Sequence, residues 1–253
     1  MDLSSRASVL APGFEFPAML ISNLKICGIT TRETARFCAE AGAGALGVVF
    51  FNKSPRHVTP QQALEIFAEL PARVARVGVF VDMPTAELIA TARAAALHTI
   101  QLHGSEPLAD IIAVQRAGFH VIKVLKTTGP SLLDAARALP STVGILLECG
   151  HGTLPGGNGA AWSWAEAAPL ASVRPFALAG GLTPDTLLEA ARLSHAVAWD
   201  ISSGVEARPG VKDHAAILRT VQTLCDFIRH QPTPVEPGRF WSARDDADNP
   251  ISP

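Results

Sequence analysis

Short apolar runs recur along the chain, and each is followed by a segment in which apolar residues return every three or four positions. Runs of this kind, bounded by Gly, Pro, Ser or Thr, are typical of buried β-strands, and the longer period is typical of helices. The pattern predicts eight strands, at 24–27, 45–50, 76–81, 98–102, 120–124, 143–148, 175–179 and 197–201. It predicts helices at 31–41, 59–69, 85–96, 107–117, 131–138, 184–193 and 212–229, with a shorter candidate at 162–170. Ser105 and Thr183, each followed closely by a proline, are predicted helix caps.

The regular alternation of strand and helix predicts the fold. Most predicted strands begin roughly 22 residues apart, which is the span of one strand, one helix and two short loops. Such strands pair in parallel through right-handed crossovers, and eight units favour a closed (β/α)8 TIM barrel over an open doubly wound sheet. No GxGxxG follows the first strand to indicate a dinucleotide site. We predict an α/β chain with a single barrel domain at 23–230, an N-terminal extension at 1–22 and a disordered tail, rich in Pro and charge, at 231–253.

Composition narrows the function classes. The 253 residues are 48% hydrophobic and carry a formal net charge of -2 with no run of Lys or Arg, so we expect no nucleic-acid partner. The chain lacks both a secretory signal and a continuous apolar stretch of membrane-spanning length, so we expect no membrane contact and a cytoplasmic protein. The four cysteines contain no CxxC pair, which favours reduced thiols over a disulfide framework or a zinc site.

Reactive side chains at the strand ends are the candidates for function, because the carboxyl ends of barrel strands form the active-site face. Alternation along the first strand turns Lys25 and Cys27 into the barrel and Leu24 and Ile26 towards the helices. A lone cysteine is usually a small buried hydrophobe. Because Cys27 ends its strand, the interpretation as a reactive thiol is as well supported as the interpretation as a buried hydrophobe.

Three further polar residues face the same way. Glu148 ends the apolar sixth strand, where a carboxylate is costly unless it is solvated or paired. It therefore belongs either to an active-site mouth or to a structural salt bridge, for instance with Lys25 or Lys123. His103, inward on the fourth strand with Gln101, either lines a pocket or is hydrogen-bonded within the barrel.

Arg56 lies in the loop after the second strand. Its guanidinium either grips a carboxylate or a ring, or is an ordinary surface group. Asp200 points inward from the eighth strand.

Two small-residue loops follow the last two strands. Gly180 and Gly181 precede a predicted helix, and the turn Ser202, Ser203 and Gly204 follows the eighth strand. Free backbone N–H groups in such paired loops, with a helix N-terminus, form the usual phosphate site of this fold. The pairing predicts a small phosphorylated substrate.

The segments KICGIT, GVVFFNKSPRHV, GVFV, IQLHG, GILLE, LPGGNG, LAGGLTPD and WDISSGVEARPGVKD occur in this order over 24–224. Together they resemble the phosphoribosylanthranilate isomerase family of tryptophan biosynthesis. The resemblance implies a cofactor-free and metal-free Amadori rearrangement of N-(5-phosphoribosyl)anthranilate to 1-(2-carboxyphenylamino)-1-deoxyribulose 5-phosphate. It also implies general acid–base catalysis by an intramolecular aldose–ketose isomerase that is a monomer or a homodimer.

The resemblance implies a role for each candidate. Cys27 is the general base, and positive surroundings such as Lys25 would favour its thiolate. Glu148 stands where the family usually has an aspartate as general acid, and its extra methylene moves the carboxyl by about 1.5 Å. Because a misplacement of about 1 Å can cost roughly 100-fold in rate, a paralogous barrel that acts on, or merely binds, a related phosphorylated or aromatic amine compound is the alternative. The implied substrate-binding residues are Arg56, His103 and Asp200, and the implied phosphate-binding residues are Gly180, Gly181, Ser202, Ser203 and Gly204.

Overall fold

The computed structural model describes residues 21–127, 131–148, 163–230 and 240–241. Within them, eight parallel strands close into a barrel, in which the first strand pairs with both the second and the eighth. The strands are β1 Ile21–Cys27, β2 Ala43–Val49, β3 Ala75–Phe80, β4 Thr99–Leu102, β5 His120–Lys126, β6 Gly144–Glu148, β7 Ala177–Leu178 and β8 Ala198–Ile201. The predicted TIM barrel is confirmed.

The described α-helices form a layer outside the barrel, one after each strand. They are α1 Arg32–Ala41, α2 Pro60–Phe67, α3 Thr85–Ala94, α4 Leu108–Arg116, α5 Leu132–Ala138, α6 Ala168–Ala171, α7 Leu187–Ser194 and α8 His214–Arg229. A short hairpin, β9 Glu206–Arg208 and β10 Val211–Lys212, lies before α8. The last helix was predicted from 212 and begins later, because the Asp213 side chain caps it by accepting from the N–H groups of Ala215 and Ala216.

Two predicted helix starts are also corrected. Ser105 does not cap α4: its N–H donates to Asp82 Oδ1 (2.6 Å), and Pro107 holds the cap position without a side-chain bond. This turn is instead held by Asp82, in the loop after β3, and by Lys123 on β5, towards which Glu106 turns inward. Thr183 does accept from the N–H of Thr186 (3.2 Å). The residues after it form a tight turn, so α7 begins at Leu187 rather than at 184.

The hydrophobic core has two parts. Outward side chains such as Leu24 and Ile26 are fully buried against the helices. Inside the barrel, a second cluster is dominated by small and medium residues and includes Trp241. Phe240 and Trp241 fall inside the region predicted to be a disordered tail, and they pack into the barrel. Among the helices described, none has the length and apolarity needed to span a membrane.

Candidate active site

A pocket of about 730 Å³, open to solvent, lies at the carboxyl ends of the strands. One wall is apolar and includes Val49, Phe51, Val79 and Val81. The structure brings all ten predicted site residues to this pocket: Cys27, Arg56, His103, Glu148, Gly180, Gly181, Asp200, Ser202, Ser203 and Gly204.

The order of strands decides how these groups face one another. Glu148 ends β6 and Cys27 ends β1. Because β8 pairs with β1, the strands β6, β7, β8 and β1 are consecutive around the barrel. The two small-residue loops, which follow β7 and β8, therefore lie between the carboxyl group and the thiol.

The carboxylate of Glu148 is held by a histidine. Its Oε2 lies 2.7 Å from His103 Nε2, and both side chains are buried. On the other side of the imidazole, Gln101 Nε2 lies 3.4 Å from Nδ1. If the amide N–H donates to Nδ1, the histidine carries its proton on Nε2 and donates it to Glu148. Neither of the lysine salt bridges that the sequence left open for Glu148 is formed in the described chain, since Lys25 pairs with Asp200 and Lys123 with Glu106.

Cys27 shares its side of the pocket with a buried ion pair. Lys25 Nζ donates to Asp200 Oδ2 at 2.9 Å. A Cβ added to Gly47 would stand 2.9 Å from Cys27 Sγ and 3.1 Å from Lys25 Nζ, so thiol and ammonium flank the same point. The other oxygen of Asp200, Oδ1, is buried and accepts no hydrogen bond from the described residues.

The charges around Cys27 do not make it a thiolate at rest. Burial raises the pKa of the Cys27 thiol, and the charges of Lys25 and Lys212 offset this only in part. Burial lowers the pKa of Lys25, but its polar neighbours, with the charge of Asp200 first among them, outweigh this and raise that pKa overall. The positive surroundings expected from the sequence are therefore present, but burial outweighs them and favours the neutral thiol.

Arg56 is held by a carboxylate that sequence reasoning missed. Glu206 accepts from Arg56 Nε (2.8 Å) and Nη2 (2.7 Å), and also from Lys212 Nζ (2.8 Å). Burial raises the pKa of Glu206, but its hydrogen bond with Arg56 and the charge of Lys212 outweigh this and hold the pKa below its usual range. What Arg56 offers to the pocket is its remaining Nη1 edge and its planar face. The one available signal was an acidic residue two positions after the Ser202–Gly204 turn that follows the eighth strand.

The loops after β7 and β8 pack directly on each other. Gly180 and Gly181 have φ angles of 85° and 69°, and in the described chain their N–H groups donate no hydrogen bond. A Cβ on Gly204 would lie 1.9 Å from the carbonyl oxygen of Leu182. Only glycine permits this approach, which joins the two loops on this side of the pocket.

A second buried pair, Glu106 and Lys123, supports the pocket from the loop after β4. Lys123 Nζ donates to Glu106 Oε2 (2.7 Å) and to the carbonyl of Gly104 (2.6 Å). Over residues 21–127, 131–148, 163–230 and 240–241, no group of three or more His, Cys, Asp or Glu is placed to ligate a metal ion. Cys149 and the glycine-rich segment 154–159 lie outside the described residues.

Fold and site together define a (β/α)8-barrel enzyme that presents a carboxyl group and a thiol on either side of two joined small-residue loops. A family model described as N-(5'-phosphoribosyl)anthranilate (PRA) isomerase matches residues 24–223. The chain belongs to this family, which confirms the predicted family, isomerase class and place in tryptophan biosynthesis.

Individual relatives agree with the family match. An N-(5'-phosphoribosyl)anthranilate isomerase of Paracoccus denitrificans is 43% identical over 196 residues, covering 76% of this chain and 91% of that protein. The crystal structure of phosphoribosyl anthranilate isomerase from Thermus thermophilus has a TM-score of 0.74 and 37% identity, covering 81% of this chain and 98% of its own. A further isomerase structure, in complex with reduced 1-(o-carboxyphenylamino)-1-deoxyribulose 5-phosphate, has a TM-score of 0.70 and 35% identity over 81% and 98% of the two chains.

Proposed function

We propose that this chain rearranges N-(5'-phosphoribosyl)anthranilate to 1-(o-carboxyphenylamino)-1-deoxyribulose 5-phosphate, with Glu148 as general acid and Cys27 as general base. The observation that carries the proposal is the order of groups around the pocket: carboxyl, phosphate-binding loops, thiol. A ribose held by its phosphate between the two reactive groups presents its ring oxygen to one side and C2' to the other.

The phosphate belongs on the loops after β7 and β8. The N–H groups of Gly180 and Gly181 donate to no backbone acceptor in the described chain, and the second loop lies directly beside them, since Gly204 packs against Leu182. Backbone N–H groups in such a surface bind phosphate oxygens strongly. This contact fixes the sugar relative to both strand ends.

In the first step, protonated Glu148 donates its proton to the furanose ring oxygen. The bond from C1' to that oxygen breaks, and the nitrogen lone pair forms an iminium ion. The hydrogen bond from His103 at 2.7 Å anchors the carboxyl group. It therefore supports the use of glutamate where the family usually has aspartate, because it restrains the longer side chain.

In the second step, the Cys27 thiolate removes the proton from C2', and the electron pair moves to the iminium nitrogen. The resulting enolamine tautomerises to the ketone, so atoms and electrons balance without a cofactor or a metal ion. The positive iminium charge supplies what the resting site lacks, since it favours ionisation of a thiol whose pKa burial has raised.

The remaining groups orient the substrate. Asp200 borders the pocket, where its carboxylate accepts a hydrogen bond from a sugar hydroxyl. The planar face and free edge of Arg56 can engage the anthranilate ring or its carboxylate. Phe51 and the valines beside it provide an apolar wall for that ring.

The test is turnover of freshly generated N-(5'-phosphoribosyl)anthranilate, followed through loss of its fluorescence and corrected for spontaneous decay. We expect Glu148→Gln and Cys27→Ser each to lower kcat by about 100-fold or more, the usual contribution of a general acid or base. Glu148→Asp is the matched control and retains turnover well above the Gln variant. Full rates in both Glu148→Gln and Cys27→Ser would refute the assigned roles. A folded wild-type chain without turnover would point instead to a related phosphorylated compound.

The same chemistry bears on location and assembly. A catalytic thiol must stay reduced, which supports the cytoplasm as the compartment, and Cys27, Cys38 and Cys225 are all free thiols. We propose that the chain acts there on its small phosphorylated substrate as a monomer or a homodimer. Size-exclusion chromatography with light scattering distinguishes the two states.

A further inference from the structure

A tryptophan closes the end of the barrel opposite the active-site mouth. Trp241 is 1% exposed and stacks edge-to-face with Phe240, with ring centroids 4.9 Å apart. Its carbonyl accepts from Thr99 Oγ1 at 2.6 Å, and the carbonyl of Phe240 lies 3.2 Å from His120 Nε2. Thr99 and His120 are the first residues of β4 and β5. The aromatic pair is therefore fixed at the amino-terminal end of the strands.

The barrel interior is shaped to receive this side chain. Bulky branched residues normally fill the interior of such barrels. Here the cluster around Trp241 contains alanines from four different strands: Ala45, Ala75, Ala177 and Ala198. Small side chains at these positions leave space that the indole ring occupies, so Trp241 is part of the hydrophobic core inside the barrel.

The indole ring also faces a charged group of the active site. Lys25 Nζ lies 5.6 Å from the centroid of the Trp241 ring, within the range of a cation–π interaction. Lys25 is fully buried, and its ammonium has Asp200 on one side and Cys27 close by on another. Trp241 covers the side of the ammonium that faces the bottom of the barrel.

We propose that Trp241 is a positioning residue, which excludes water from Lys25 and keeps its ammonium directed at Asp200 and Cys27. Through Lys25, Trp241 couples the C-terminal segment to the reactive thiol. Without the indole ring, the amino-terminal end of the barrel opens to solvent, and water then reaches the ammonium of Lys25 from below. Water there screens the ammonium, whose attraction for a thiolate is strong only in a low-dielectric environment. Cys27 lies further up the barrel and already borders the pocket, so screening of Lys25 is the main effect on it.

The charged groups that face Cys27 come from four parts of the fold. They are Lys25 on β1, Asp200 on β8, Lys212 on β10 and Arg56 in the loop after β2. A substitution at Trp241 changes none of them directly. A change in the ionisation of Cys27 would therefore report on the environment of Lys25, the member of this group that contacts the indole ring.

The experiment measures the pH dependence of Cys27 alkylation by iodoacetamide, read by mass spectrometry of the Cys27 peptide. This readout needs no catalytic activity, so its failure is distinct from failure of the proposed reaction. Cys38 serves as an internal control, because burial raises its pKa to about 12. The variants are Trp241→Ala, Trp241→Phe and Phe240→Ala in the full chain, with Trp241→Leu as a milder replacement should the alanine variant fail to fold.

We expect Trp241→Ala to move the alkylation midpoint of Cys27 to higher pH, so that the rate near neutral pH falls about three- to tenfold. Trp241→Leu shifts it in the same direction, and Trp241→Phe, which keeps an aromatic face, restores most of the rate. Phe240→Ala lowers stability but leaves the midpoint unchanged, because Phe240 does not contact Lys25. If the Trp241→Ala or Trp241→Leu variant were less stable but had an unchanged alkylation midpoint, Trp241 would only stabilise the fold and the proposal would be wrong. An equal shift in Phe240→Ala would overturn the proposal by showing general loosening.

Discussion

Replacing Glu206 with glutamine removes one negative charge from a buried group of three. The side chains of Arg56, Glu206 and Lys212 are 10%, 4% and 1% exposed, and Glu206 is the carboxylate that both cations share. Glutamine keeps the shape and leaves two buried positive charges without a counter-charge. Breaking a buried pair by removing one partner costs about 3–5 kcal/mol. For a domain of this size, that loss lowers Tm by roughly 6–20 °C.

The pH dependence of the loss identifies its cause. The pKa of Glu206 in the folded chain is lowered from 4.5. A lowered carboxyl pKa contributes stability that is present above the unfolded value and is lost as pH falls through the folded value. The difference in unfolding free energy between wild type and Glu206→Gln is therefore largest at neutral pH and shrinks below about pH 4.5.

Urea denaturation followed by circular dichroism, at neutral pH and at several acidic values, measures this difference. The matched control is Glu69→Gln, which removes an exposed partner of Arg32 (3.7 Å, 61% exposed). An exposed pair contributes about 0–1 kcal/mol, so this variant stays close to wild type throughout. If Glu206→Gln were as stable as Glu69→Gln at neutral pH, the buried charge group would not be a stabilising element.

Three further predictions concern the reaction. In Gly204→Ala, the added Cβ would stand 1.9 Å from the carbonyl oxygen of Leu182, so the loops after β7 and β8 are forced apart. We expect steady-state kinetics to show a KM at least about tenfold higher, with a smaller change in kcat. Burial raises the pKa of Cys27, so we expect kcat/KM to rise with pH through the neutral range. The rise of kcat with pH lies at lower pH, because the iminium charge that favours the thiolate is present only with substrate. If kcat and kcat/KM rose over the same pH range, this expectation would be wrong. His103→Ala frees the Glu148 carboxyl, so kcat falls about 10- to 100-fold with little change in KM, and a rise in KM alone would show that His103 only binds substrate.

The fold could be predicted because one physical pattern determines it at every step. Alternating apolar positions turned Cys27 and Lys25 inward and Leu24 outward, and the strand–helix repeat specified closure. Strand ends then identified the pocket, since backbone topology alone brings them together. The location of each candidate residue in the pocket therefore followed from the alternation along its strand and from the order of the strands in the sequence.

Pairing among the polar groups did not follow from the sequence. Lys25 and Asp200 are separated by 175 positions, and Arg56 and Glu206 by 150. Choosing among Lys25, Lys123 and His103 as the partner of Glu148 requires side-chain distances that no local period encodes. The short hairpin before α8 was missed for a related reason: its two- and three-residue strands are too brief to show alternation. The packing of Trp241 was missed because prolines and charges dominate the composition of its segment, and that composition predicts a disordered tail.

The most direct test of the account is a crystal structure of this chain with reduced 1-(o-carboxyphenylamino)-1-deoxyribulose 5-phosphate. We expect the phosphate to accept hydrogen bonds from N–H groups of the loops at Gly181 and Gly204. We expect Cys27 Sγ and the Glu148 carboxyl to lie on opposite sides of the sugar chain, near the two carbons that carry the rearrangement. A phosphate bound elsewhere, or a sugar chain beyond the reach of either group, would contradict the assigned acid and base.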